Sequence, residues 1–408
     1  MHTSIESMPA NISGKHRNRT MKIAVFAPFP EKKDGIPRVA EELVKRFCAF
    51  DEITSISIIT PHNEGFLDPA VLTNHKISLH PLNVLKPADF LKLIKLYMQN
   101  DIFLSMSVPW SIPSLRVPIG GLPFVFVLAK LSFWSSSSII QVLHDFVPYV
   151  FPQDDTEDKG TYRIFTNYQT FLSKVPTRYV ADSQSTKKDA IEFWHIRKED
   201  VDVVYLGSFV EAKSPRTHFD NKKVLIVSAV SPHKNHFRLL EAFEMVYQQH
   251  PDAELTIVGN IRKNVRSRFE SALDEVMSRN KGIKISLCGY ATDEEIVSLY
   301  RSAAVFVYPS LYEGFGLPVL EAMAQGCPVI ASNVSSLPEV VGDAAVLIDP
   351  LNTAELAEAM IRVLADDELK REMSVKGINR AKLFSWDRTA EKYVEVFNRV
   401  LMDKQANS

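Results

Sequence analysis

Two successive doubly wound α/β domains are predicted for this chain. Three observations predict them. The 408 residues exceed what one ordinary core organises. Short continuous apolar runs alternate with stretches of helical period, which is the pattern of a parallel sheet covered on both faces. That rhythm then starts again after residue 221.

In the first half, strands are expected at 22–26, 53–59, 102–105, 138–143, 177–181 and 202–205, with helices at 37–50, 90–99, 161–174 and 185–194. In the second half, strands are expected at 224–228, 254–258, 284–288, 305–307, 328–331 and 345–347. The helices there are 237–249, 265–278, 293–303 and 318–325, and long helices fill 354–402, with Trp386 opening the last. Polar Ser214-Pro215-Arg216-Thr217 has turn chemistry and lies in the join at 207–221. The expected division is a disordered leader at 1–20, a first domain at 21–206, a second at 207–385 and a terminal helix at 386–408 packing back on the first.

Composition narrows the function. Hydrophobic residues make up 46% and charged residues 24%, an ordinary globular balance. The net charge of -2 lacks the basic excess of a generic nucleic-acid binder. Residues 1–20 are polar with no apolar run, so they do not read as a secretory signal. Cys48, Cys288 and Cys327 form no metal-binding spacing and read as reduced core thiols, which suits a reducing compartment. The apolar stretch 117–134 is broken by Gly120, Gly121, Pro123 and Lys130, so it reads as a buried connection, with a lipid-facing surface as the alternative. The helix 90–96 mixes leucines with Lys92 and Lys95. That pattern fits an interfacial helix at a membrane or an amphipathic helix facing a core.

Open α/β sheets bind ligands just beyond the carboxyl ends of their strands. The segment after the strand 305–307 has the chemistry for it. It runs Tyr308-Pro309-Ser310-Leu311-Tyr312-Glu313-Gly314-Phe315-Gly316-Leu317-Pro318, then enters a helix that Gly326 ends. Pro318 suits the first helical position. Gly314 and Gly316 permit close backbone approach, and the free amides at Gly316 and Leu317 suit a phosphate or a sugar oxygen. Glu313 in the loop and Glu321 in the helix are two carboxylates for hydroxyl groups, and a vicinal diol fits one of them well.

The run Glu313-Gly-Phe-Gly-Leu-Pro-x-x-Leu-Glu321, followed by Ala-Met-Ala-x-Gly-x-Pro-Val, resembles the signature of glycosyltransferase family 4, with seven residues between the glutamates. The resemblance covers about residues 21–400. It implies the GT-B fold, retention of anomeric configuration and a nucleotide diphosphate sugar as donor. It places Glu321 on the ribose, and Glu313 with the backbone of Gly314, Phe315, Gly316 and Leu317 at the sugar.

Other segments extend the resemblance. Residues 27–38, with Gly35 and Arg38, are similar to the family's loop beside the donor phosphates. His144-Asp145-x-x-Pro148 resembles the stretch whose histidine approaches the donor sugar. Residues 227–235, ending Pro232-His233-Lys234-Asn235, look like the phosphate loop, with Lys234 on the diphosphate. Ala229 departs from the pattern, because many members carry an arginine there, and His233 stands where another basic residue is common. The segment 336–345 resembles a further family stretch and is given a structural role. Tyr290 follows a strand of the second domain and is either a nucleobase contact or a turn residue.

No metal or other cofactor is expected. The Asp-x-Asp at Asp200 and Asp202 and the acidic cluster at 154–158 read as solvated turns. The resemblance therefore implies a metal-independent, retaining hexosyltransferase of surface polysaccharide synthesis. Its pattern is most like mannosyl and rhamnosyl enzymes, with GDP-mannose preferred as donor and a glycan or lipid-linked glycan as acceptor. The expected location is cytoplasmic, at the inner face of the membrane if the basic helix docks there. An epimerase or a non-catalytic sugar-nucleotide binder on the same fold stays open.

Overall fold

A computed structural model describes residues 20–27, 35–60, 67–82, 86–106, 137–151, 170, 173, 177–219 and 222–406. The leader up to residue 19, the stretch 117–134, the cluster 154–158 and, apart from residues 170 and 173, the helix expected at 161–174 lie outside the described residues.

Strands β1 (Met21–Phe26), β2 (Ile53–Thr60), β3 (Ile77–Pro81), β4 (Ile102–Ser105), β5 (Ser138–Leu143), β6 (Arg178–Ala181) and β7 (Val201–Val203) form one sheet in the order β3-β2-β1-β4-β5-β6-β7. All its pairings are parallel. Strands β8 (Lys223–Val227), β9 (Glu254–Val258), β10 (Lys284–Cys288), β11 (Val305–Tyr308), β12 (Val329–Ser332) and β13 (Val346–Ile348) form the second, ordered β10-β9-β8-β11-β12-β13. It too is wholly parallel. Central strands such as β5, β11 and β12 are buried along their whole length, as a doubly covered sheet requires.

The strand order reverses between β1 and β4 and between β8 and β11. A crevice opens at such a switch point because the two connections leave in opposite directions. The loops after β8 and β11 therefore border one crevice. They are the segments 228–235 and 309–316.

Strand β3 was not expected, because Ile77–Pro81 has no fully buried position and so no strong apolar run. The reading of Cys288 as a core thiol is corrected. It is exposed, because β10 is the edge strand of its sheet, whereas Cys327 is buried. Asp202 is also not a solvated turn. It lies in β7 and takes Arg178 at 2.7 Å and Arg399 at 2.8 Å.

Arg399 belongs to the last helix, Trp386–Ala406, which also gives Asp387 to Arg46 at 2.8 Å and sets Tyr393 and Phe397 against Phe47. The helix Pro87–Gln99 buries Leu93, Leu96 and Tyr97 and exposes Leu91, Lys92, Lys95 and Met98. Among the described residues, no helix is long and apolar enough to cross a membrane.

Candidate active site at the sheet switch point

After β8 the chain turns through a short 3-10 helix, Pro232–Lys234, and Asn235 takes a left-handed conformation before the helix His236–Gln249. The Asn235 amide donates to the carbonyls of Pro309 and Pro350 at 3.0 and 2.7 Å, which ties this turn to the loop after β11. Lys234 is thereby brought to that loop. Its ammonium donates to Glu313 Oε1 at 2.6 Å and to the Tyr308 hydroxyl at 3.0 Å.

Two of the three N–H donors of Lys234 are thus engaged, and its side chain keeps 16% exposure. Burial alone would lower its pKa, but the Glu313 carboxylate outweighs this and raises it. Burial would likewise raise Glu313, and the adjacent ammonium instead holds it below its ordinary value. Both groups are therefore charged at neutral pH, and the pair is a preformed charge site.

The backbone around Glu313 is fixed as firmly as its side chain. Its N–H donates to Ser335 Oγ at 2.9 Å, and Ser336 Oγ donates to the carbonyls of Glu313 and Phe315 at 3.0 and 2.9 Å. Gly316, at φ +102°, forms the N-cap of the helix Leu317–Ala324, where Pro318 takes the second position rather than the first. The left-handed turn there strains any residue with a Cβ. The Phe315 ring packs against Tyr205 and Phe384, so its side chain belongs to the core and only its backbone borders the crevice.

Glu321, one turn into the helix, is 7% exposed and accepts a hydrogen bond at Oε2 from the buried Tyr300 hydroxyl at 3.1 Å. Burial pushes its pKa up to about 7, with Arg38 nearby opposing that rise. Arg38, on the first-domain helix Gly35–Phe47, pairs with Asp293 of the second domain at 3.2 Å and lies over Phe209. Gly35 opens that helix and has open space where a Cβ would stand. His233 is buried, with its carbonyl accepting from the Leu311 N–H at 2.7 Å and its ring beside Phe151. Tyr290 is 64% exposed just beyond β10, two strands from β8.

Residues 194–380 match the sequence profile of the family described as Glycosyl transferases group 1. O-antigen chain mannosyltransferase B of Escherichia coli is 27% identical over 393 residues, which is 92% of this chain and 99% of that protein. The chain is a GT-B glycosyltransferase. MMP alpha-(1->4)-mannosyltransferase of Mycolicibacterium hassiacum is 30% identical over 58% of the glycosyltransferase, and the match spans 57% of that relative's length. The Anabaena protein Alr3699/HepE, solved in complex with UDP and glucose, shares the fold with TM-score 0.68 at 18% identity, over 93% of this chain and 100% of that one.

The first domain of the glycosyltransferase contributes His144. Its Nδ1 meets Asp182 Oδ2 at 2.6 Å and its Nε2 donates to the Met106 carbonyl at 2.8 Å. Burial would lower the histidine, and Asp182 instead raises it. Both ring nitrogens are thus engaged within the first domain, and it is the His144 backbone that meets the Glu313 loop. A Cβ built on Gly314 would overlap the His144 carbonyl oxygen.

Tyr308, Asp182, Tyr300, Ser335 and Ser336 were not singled out in the sequence. Tyr308 and Asp182 each end or follow a strand, and that position was a usable signal. The tyrosine opened the donor segment but was given no role in it, and the aspartate lay far in sequence from His144. Among the described residues, no three His, Cys, Asp or Glu side chains gather as a metal-holding group.

Glu321 gives a pH prediction. Its folded pKa of about 7 lies above its ordinary value of 4.5. Its stabilising contribution is therefore full below that ordinary value and is lost as pH rises through 7. An ionised carboxylate is the stronger acceptor for a hydroxyl, so a donor KM that depends on Glu321 should fall over the interval in which the empty protein loses stability. Glu321→Gln should flatten both dependences. Donor kinetics and thermal melting from pH 5 to 8 check this.

Proposed function

We propose that this glycosyltransferase moves mannose from GDP-mannose, with retention, to a glycan or lipid-linked glycan acceptor in surface polysaccharide synthesis. The observation that carries the reading is the match along nearly the whole chain to an O-antigen chain mannosyltransferase. The site chemistry supports it. Lys234 has one ammonium donor left for a diphosphate, Glu321 presents a buried carboxylate for ribose, and Glu313, bonded to Lys234, is assigned to the sugar.

In this reading the acceptor hydroxyl attacks the anomeric carbon on the face the diphosphate leaves. The carbon–oxygen bond to phosphate breaks, and the leaving group keeps the electron pair. The acceptor proton passes to the departing phosphate oxygen, so no protein nucleophile is required. Lys234 and the amides at the start of the helix Leu317–Ala324 stabilise the developing charge. A divalent metal is then not needed, and activity should survive excess EDTA.

Ala229 leaves Lys234 without the arginine that the family pattern often adds, and His233 beside it is buried. Peripheral contact with the membrane through the helix Pro87–Gln99 would bring a lipid-linked acceptor to the first domain.

A donor panel of GDP-mannose, UDP-glucose and a dTDP-sugar, with short glycan acceptors, tests the reading. It predicts transfer from GDP-mannose and an axial product linkage by NMR. Transfer only from another donor overturns the donor assignment. Binding without turnover, or interconversion of donors, overturns the transferase reading in favour of a binder or an epimerase.

A further inference from the structure

The loop that carries Glu313 belongs to the second domain, but the first domain holds it through one helix, Gln184–Trp194. Thr186 Oγ1 donates to the Gly314 carbonyl at 3.0 Å, and both residues are buried. One turn further along the same helix, Asp189 accepts a hydrogen bond from the Tyr312 hydroxyl at 2.6 Å. That hydroxyl in turn accepts the Phe146 N–H at 3.1 Å, close after His144. The two neighbours of Glu313, Tyr312 and Gly314, are therefore both fastened to the first domain.

The helix itself is fastened from the other side. Glu339 of the second domain accepts the N–H groups of Gln184 and Ser185 at 2.9 and 3.0 Å and the Tyr205 hydroxyl at 3.0 Å. A carboxylate at a helix start meets unpaired N–H donors and the positive end of the dipole. Glu339 lies one turn beyond Ser336, which holds the carbonyls of Glu313 and Phe315. The contacts form a closed circuit. It runs from the Glu313 loop to the helix through Thr186 and Asp189, and from the helix start back to the loop through Glu339 and Ser336.

We propose that the helix Gln184–Trp194 sets the position of the Glu313 loop across the domain interface, with Thr186 and Asp189 as positioning residues for sugar transfer. Each acts through the backbone or side chain flanking Glu313. The transfer part of this inference rests on the reading of Glu313 as a donor-site residue, while the fastening of the loop does not.

Three variants test it: Asp189→Ala, Asp189→Asn and Thr186→Val. Hydrogen exchange at the amides of 312–316 is read without any donor. Asp189→Ala should speed it about tenfold, the effect of losing a hydrogen bond to a charged group. Asp189→Asn, whose amide oxygen still accepts from Tyr312, should stay near wild type. Thr186→Val should also speed exchange, and it serves as the test if Asp189→Ala does not fold.

With GDP-mannose, Asp189→Ala and Thr186→Val should lower kcat about tenfold while leaving GDP affinity by calorimetry unchanged. Unchanged exchange in both variants overturns the fastening. Faster exchange with unchanged kcat overturns the positioning role, as does an Asp189→Asn protein no better than Asp189→Ala. If wild type turns over no donor, the proposed function fails, and the exchange measurement still decides the fastening.

Discussion

Lys234→Ala is expected to lower kcat by about 10²–10³-fold, the cost of removing one preorganised charge donor from a leaving group. The physical case rests on three side chains. Lys234 is bonded at once to Glu313 and Tyr308, so its ammonium is already placed when the donor arrives. With Ala229 in the same loop, no arginine there shares the load.

The same change strands Glu313, which is buried and whose carboxylate the ammonium holds below its ordinary pKa. Breaking a buried pair from one side costs about 3–5 kcal/mol of stability. Pairing Lys234→Ala with Glu313→Gln should recover much of that stability and none of the activity, since no buried charge then lacks its partner. Lys234→Arg should not restore the rate, because a planar fork does not fit the place of a compact ammonium. Steady-state kinetics and chemical denaturation of the single and double variants separate the two effects.

Gly314→Ala is expected to be nearly as damaging, although it removes no functional group. The added Cβ would overlap the backbone carbonyl of His144 and press on Asp145 Cβ at 2.8 Å. A backbone oxygen has no rotamer with which to move aside. The loop must retreat from the first domain, carrying Glu313 with it. A displacement of about an ångström at a reacting centre costs about a hundredfold in rate. Nucleotide affinity should fall much less, because Lys234 and Glu321 both lie in the second domain with the loop. A Gly314→Ala enzyme with a normal kcat would show that the two domains need not meet at this point.

The sheets were legible in the sequence because buried parallel strands are short, apolar and separated by helices of clear period. The runs 102–105, 138–143, 254–258 and 284–288 coincide with β4, β5, β9 and β10. Strand β3 escaped because Ser78, His80 and Pro81 leave it only two apolar residues, Ile77 and Leu79. Cys288 was misplaced because the run 284–288 reads as a buried strand, and only the sheet order makes β10 an exposed edge.

The candidate loop was legible as one segment between a strand and a helix, from Glu313 to Glu321, because its residues are contiguous. The supports were not, because they arrive from afar. Ser335 and Ser336 come from the loop after β12, and Asp182 from the end of β6. The segment 336–345 was read as structural, and Glu339 within it spans the domain interface. Local pattern tells which residues end strands, but only the packed sheets tell which strand ends meet.

The central claim is that one crevice, between the loops after β8 and β11, takes the nucleotide sugar. A crystal structure of the protein with GDP-mannose tests it most directly. The account predicts the ribose hydroxyls on Glu321, the diphosphate on Lys234 and the mannose facing Glu313 and the amides of Phe315 and Gly316. A nucleotide bound elsewhere, or one whose diphosphate leaves the Lys234–Glu313 pair untouched, would contradict it.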